Sequence, residues 1–193
     1  ALEDIGYGIT KADDGFIITG QMTEVSRIGT NVIDNANSVK KLGIIRTNAI
    51  GDIVWQKMYG DQAVNVGSKA VILSDGSVVC VGYAVEKNSQ YKDILIVKTD
   101  KQGNVVTQKI FKTASDFSNQ YGVDLLKTAT GFLVLGVTDA ERLASTTSDS
   151  TGNIAGKKDI LVMNLDDSLN EIDSWAAGYP GNDDPVTVKP DLG

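Results

Sequence analysis

Paired carboxylates are the first residues of this chain that could do chemistry, and they stand at Asp13-Asp14, Asp166-Asp167 and Asp183-Asp184. Two carboxyls converging across a cleft, one of them held protonated, are what a glycosidase uses. Each pair here lies instead in a short stretch of Asp, Asn, Ser or Gly, where such side chains bond back to the backbone and form turns. Turn chemistry is the reading we adopt. Histidine is absent from the chain, which removes the Ser-His-Asp triad, the Cys-His pair, His-bearing zinc sites and the HExxH helix. The single cysteine, Cys80, lies within Val78-Val79-Cys80-Val81 and reads as a small buried hydrophobe, because a reactive thiol needs a base or positive charge beside it. Gly6-Tyr7-Gly8-Ile9-Thr10-Lys11 lacks the third glycine and the following helix of a nucleotide loop. Asp149 to Asn153 and Asp100 to Asn104 offer oxygen ligands, but neither completes an EF-hand loop or supplies its terminal Glu. The expectation is a protein that is not an enzyme and uses neither cofactor nor metal.

The bulk composition limits partners in the same direction. The 193 residues carry 18 Lys and Arg against 25 Asp and Glu, a formal charge of −7. Nucleic acid and anionic membrane surfaces both require a basic face, so neither is an expected partner. Hydrophobic residues at 41 % and charged residues at 22 % are ordinary for a globular chain of one domain. No apolar run approaches the roughly 18 residues of a membrane-spanning helix.

The elements that must position any site come from a block written three times. Each copy opens on a glycine and reaches a tight turn at another: Gly6 to Gly15, Gly67 to Gly76, Gly122 to Gly131. An apolar run then ends at Gly20, Gly82 and Gly136. A polar connector, a second apolar run and a turn rich in Asp, Asn and Gly follow, then a final mixed segment. Phe16-Ile17-Ile18, Val78 to Val81 and Phe132 to Leu135 are the first runs, and Leu42 to Ile45, Ile94 to Val97 and Ile160 to Met163 the second. Such short, β-branched runs bracketed by turn residues read as strands buried on both faces. Ile53 to Tyr59 and Val105 to Phe111 mix in polar residues, as an exposed edge strand does. In the third copy Leu169 stands where Gly103 stands in the second, so Asn170 is expected to take the left-handed turn position.

Four antiparallel strands in a meander, repeated, describe the blade of a β-propeller. The expected fold is all-β and propeller-like, with three four-stranded antiparallel blades at residues 1–60, 61–112 and 113–178 and a tail or linker at 179–193. Closed propellers typically hold four to eight blades. Three arrangements therefore stay open: two chains completing a six-bladed ring, a segment of a longer protein, or another subunit covering the open faces.

Lys92-Asp93-Ile94-Leu95-Ile96-Val97-Lys98-Thr99-Asp100-Lys101-Gln102-Gly103-Asn104 resembles the D-x-h-h-h-h-K-h-D-x-x-G-N signature of repeat propellers from secreted and surface-anchored proteins of Bacteroidetes-type bacteria. Asp159 to Asp166 repeats its first half, and Ile53 to Gly60 resembles the strand and glycine that usually follow. The resemblance implies an accessory lipoprotein on the outer-membrane surface, lipid-anchored upstream of Ala1, alongside nutrient-uptake machinery.

In such a meander the second-to-third and fourth-to-first connectors share one end. That end is expected to carry long polar loops over Gln21–Lys40, Tyr83–Lys92 and Asp139–Lys158, and long loops are where binding residues concentrate. The candidate contact groups are Arg27, Asn31, Asn35, Tyr83, Tyr91, Arg142 and Asp149. The expected partner is a protein, or a second copy of the chain, covering the open blade faces. The alternative is a carbohydrate-binding lectin, for which Tyr83 and Tyr91 are the aromatic groups in those loops.

Overall fold

A computed structural model describes residues 3–28, 32–112, 118–139 and 158–177, with the backbone alone at 27, 28 and 32–37. The described residues are all-β and contain no helix, so none is long and apolar enough to cross a membrane. Twelve strands run in chain order: β1 (Ile5–Ala12), β2 (Gly15–Ile28), β3 (Val32–Asn48), β4 (Ile53–Tyr59), β5 (Val64–Ile72), β6 (Val78–Val85), β7 (Asp93–Thr99), β8 (Val105–Phe111), β9 (Gln120–Lys127), β10 (Gly131–Thr138), β11 (Asp159–Asp166) and β12 (Glu171–Ala177). They form three antiparallel meanders of four, β1–β4, β5–β8 and β9–β12. A single parallel bridge, Lys40 to Val64, joins the first two.

The three sheets stack face to face, and side-chain alternation assigns each face. On the middle sheet Val79, Val81, Ile94 and Ile96 meet the third sheet, while Val78, Cys80, Leu95 and Val97 meet the first. Both sets are fully buried, which is why β6 and β7 read as unbroken apolar runs. Strands β1, β5 and β9 lie side by side in turn, whereas the outer strands β4 and β8 make little contact with one another. The outer strands leave Ile53, Val54, Val105, Val106 and Ile172 exposed. Cys80 is free, fully buried, and held well above the ordinary thiol pKa by that burial.

The recurring glycines have a common cause. Gly6 pairs with Gly20, Gly67 with Gly82 and Gly122 with Gly136, each beside a shift in register. At these bulges the backbone of the first strand crowds the second. A Cβ on Gly82 would fall 1.9 Å from the Val66 carbonyl oxygen, and one on Gly20 would fall 2.0 Å from that of Ile5. The bulge is therefore written into the sequence as a cross-strand glycine pair.

The second-to-third strand connector of the first sheet is not the polar loop expected over 21–40. Strands β2 and β3 extend past the sheet as a hairpin arm, with Arg27 opposite Ile33 and Ile28 opposite Val32. The β-branched residues Val25, Ile28, Val32, Ile33 and Val39 favour continued pairing over a loop. A second correction concerns Leu169, which itself takes the left-handed conformation at φ 62°, where Gly103 has φ 76°. Its side chain is fully buried in the core between the second and third sheets. Burying a leucine contributes about 1.5–3 kcal/mol, enough to offset the roughly 1–2 kcal/mol cost of that backbone state.

Polar contacts bolt the sheets at their outer rim. The Tyr59 hydroxyl donates to the Gly103 carbonyl at 2.8 Å, and Lys57 Nζ donates to Asn104 Oδ1 at 2.8 Å. One sheet further on, Lys109 Nζ donates to Asn170 Oδ1 at 2.7 Å. The turns that receive these lysines are braced internally: Asp100 accepts from Gln102 and Asn104, and Asp166 accepts from Asn170. Those bonds hold both carboxyls below their ordinary pKa.

Two substitutions test this account. Gly82→Ala forces a methyl group into a carbonyl and is expected to lower stability by about 3 kcal/mol in urea denaturation. Tyr59→Phe is expected to cost about 1 kcal/mol at neutral pH through the lost hydrogen bond. Burial raises the Tyr59 phenol above its ordinary 10.0, so its contribution is complete below pH 10 and is lost as pH climbs above it. Thermal unfolding should accordingly show the gap between wild type and Tyr59→Phe narrowing above pH 10.

Candidate functional site

Chain direction alternates through each meander, so the β2–β3, β6–β7 and β10–β11 connectors share one end with the links that join successive sheets. The best-built group at that end lies between the second and third sheets. Lys92, immediately before β7, places its Nζ 4.4 Å from the Tyr83 ring centroid and 4.8 Å from that of Tyr121. The two rings meet edge to face, 6.4 Å apart at 70°. Tyr83 comes from β6 and Tyr121 from β9, so the ammonium sits on the seam between two sheets.

Backbone bonds hold this seam. Gln120 N–H donates to the Lys92 carbonyl at 2.7 Å, and Lys92 N–H donates to Asn119 Oδ1 at 3.1 Å. Asn119 is fixed in turn by Asp139, which accepts from both its backbone N–H and its side-chain amide. The corresponding junction one sheet earlier uses Asn65 Nδ2, which donates to the Lys40 carbonyl at 3.1 Å. The repeat thus sets the backbone frame, and only the second junction adds the aromatic pair.

Lys92, Asn119, Tyr121, Val137, Asp139 and Lys158 line a cavity of about 150 Å³. Burial first, and the charge of Lys158 second, depress the Lys92 pKa below its ordinary value of 10.5. Burial, with a smaller contribution from Tyr7, raises the Tyr83 phenol above 10.0. The chemistry on offer is recognition. A cation framed by aromatic rings beside a second lysine suits a carboxylate or another acceptor.

Of the residues expected from the sequence, Tyr83 belongs to this group. Tyr91 sits one residue before Lys92, takes a bond from Gln90 Nε2 to its hydroxyl, and stays partly exposed. Arg27 and Asn35 lie in the hairpin arm, where only the backbone is described, and Asn31, Arg142 and Asp149 fall outside the described residues. Lys92 and Tyr121 were not singled out from the sequence. Their signal was positional: Lys92 and Lys158 each directly precede the third strand of a copy, Lys40 holds the matching place within β3, and Tyr121 directly precedes the repeat glycine Gly122. The described carboxylate pairs do not converge on this end, and Asp183-Asp184 falls outside the described residues. Asp14 is ion-paired with Arg46, Asp167 with Lys127, and Asp166 is used within its turn.

No protein-family model matches the chain, and a search of curated proteins returns no match. The site therefore rests on its own geometry.

Lys92→Ala removes two cation–π contacts on partly buried rings and is expected to cost about 1 kcal/mol. Urea denaturation measures the loss, and an NMR titration of the Lys92 amine in wild type should place its midpoint below 10.5.

Proposed function

We propose that this protein is a non-catalytic β-propeller-type module on the bacterial cell surface, and that it binds a protein partner at its loop-bearing end. The observation that carries the reading is the Tyr83–Lys92–Tyr121 group, a cation and two rings held by three strands of two sheets. Interface hot spots are typically such rigid aromatic and cationic groups, ordered before the partner arrives. Three like meanders stacked face to face, with neighbouring first strands and little contact between the outer strands β4 and β8, support a propeller-type arrangement of blades. The likeness of Lys92 to Asn104 to surface-protein repeats supports an accessory lipoprotein of an outer-membrane uptake complex.

The lectin reading draws less support from the same group. A sugar stacks on an open aromatic face, and the Tyr83 ring is already occupied by Lys92 and Tyr121.

A photo-crosslinking residue placed at Tyr91 tests the proposal on intact cells. Capture of one defined protein, reduced at least tenfold by Lys92→Glu and by Tyr121→Ala, is the expected result. Capture unchanged by both substitutions, or a glycan array bound through Tyr91 alone, would remove the protein-partner reading.

A further inference from the structure

The two stacked interfaces within the chain are copies of one another, and each needs two different faces. A leading face, such as that of β6 and β7 bearing Val79, Val81, Ile94 and Ile96, meets the sheet that follows. A receiving face, such as that bearing Cys80, Leu95 and Val97, meets the sheet before it. The first sheet uses its leading face and the third its receiving face, so among the described residues one of each is left over.

Both leftover faces keep the character of their buried counterparts. By register, Ile18 and Ile45 of the first sheet correspond to Cys80 and Val97 of the second. They line an apolar depression of about 300 Å³ together with Met22 and Gly43. On the third sheet Leu135 and Val162 correspond to Val81 and Ile96 and are only partly buried. Trp175 takes the position of Lys109 and is 51 % exposed.

A glycine supplies the independent observation. A Cβ on Gly122 would meet Val81 Cγ2 of the preceding sheet at 2.2 Å, and one on Gly67 would meet Leu42 Cγ of its preceding sheet at 3.0 Å. These glycines admit the neighbouring sheet. Gly6 holds the same place in the first sheet, yet among the described residues a Cβ there would meet nothing within 4 Å. Its slot is shaped for a preceding sheet that is not found among the described residues.

We propose that a second copy of the chain occupies both open faces, the third sheet of each protomer packing on the first sheet of the other around Gly6 and Trp175. A chain that carries both halves of a repeated interface associates head to tail. Two copies bring six sheets together, within the four to eight of closed propellers. The closed six-sheet ring rests on the propeller reading above, while the pairing of faces rests on the interfaces seen within the chain.

Light scattering on the purified 193-residue chain tests the pairing. The expected mass is twice the 20.5 kDa of one protomer. Gly6→Val, whose added Cβ meets nothing within 4 Å among the described residues, should return the monomer with an unchanged β-type circular dichroism spectrum. Trp175→Glu should do the same from the opposite face. Mixing the two variants should restore a dimer, because one of the two interfaces then joins two unaltered faces. A monomer at 100 µM, or a dimer insensitive to both substitutions, would overturn the proposal. Neither substitution touches Tyr83, Lys92 or Tyr121, so crosslinking from Tyr91 reports on partner binding separately.

Discussion

Every feature of this molecule depends on how closely one sheet can lie on the next. The middle sheet is covered on both sides, and Val78 to Val81 and Ile94 to Val97 of its second and third strands are therefore apolar at successive rather than alternate positions. At about 1.5–3 kcal/mol for each fully buried aliphatic side chain, Ile94, Leu95, Ile96 and Val97 alone contribute as much as the net stability of a typical domain before entropy is counted. Close approach near the first strands requires that no Cβ stand between the sheets, which places glycine at Gly67 and Gly122.

The rim follows from the same stacking. Long polar side chains there add to the apolar contact that Trp55, Tyr59 and Ile110 make in the core between the first two sheets. Lys57 and Lys109 reach Asn104 and Asn170 on the neighbouring sheet, and each asparagine is held ready by an aspartate in its own turn. Tyr59 adds a single buried hydrogen bond. At the end shared by the connectors the seam between the second and third sheets puts Lys92 against two rings, so this group is a product of stacking and not of a loop.

Much of this was legible along the chain, because the responsible forces act over a few residues. Turn glycines, Asx residues and doubly apolar runs locate the strands, and the cross-strand glycine pairs mark the bulges. Legibility failed where a distant group overrode a local preference. Leu169 adopts a backbone state that local rules assign to glycine or asparagine, since the core of two sheets accepts its side chain. The segment over 21–40 looked like a loop by its polarity, but its scattered β-branched residues pair into an arm. Tyr83 was singled out from the sequence as part of the connector after the second strand, although it lies within β6 itself. Lys92 and Tyr121 were not, because they act only together and 29 positions separate them.

The sequence by itself determined the strand content, the threefold block, the absence of histidine chemistry and the acidic character that disfavours nucleic acid. Periodicity, turn propensity and side-chain type are carried by neighbouring residues, and neighbours in the chain are all that such properties require. Tertiary structure alone decided which face of each sheet is covered, which lysine reaches which turn, and where a cation meets two rings. These are relations between residues far apart in the chain, set by packing distance, and no local pattern encodes a distance.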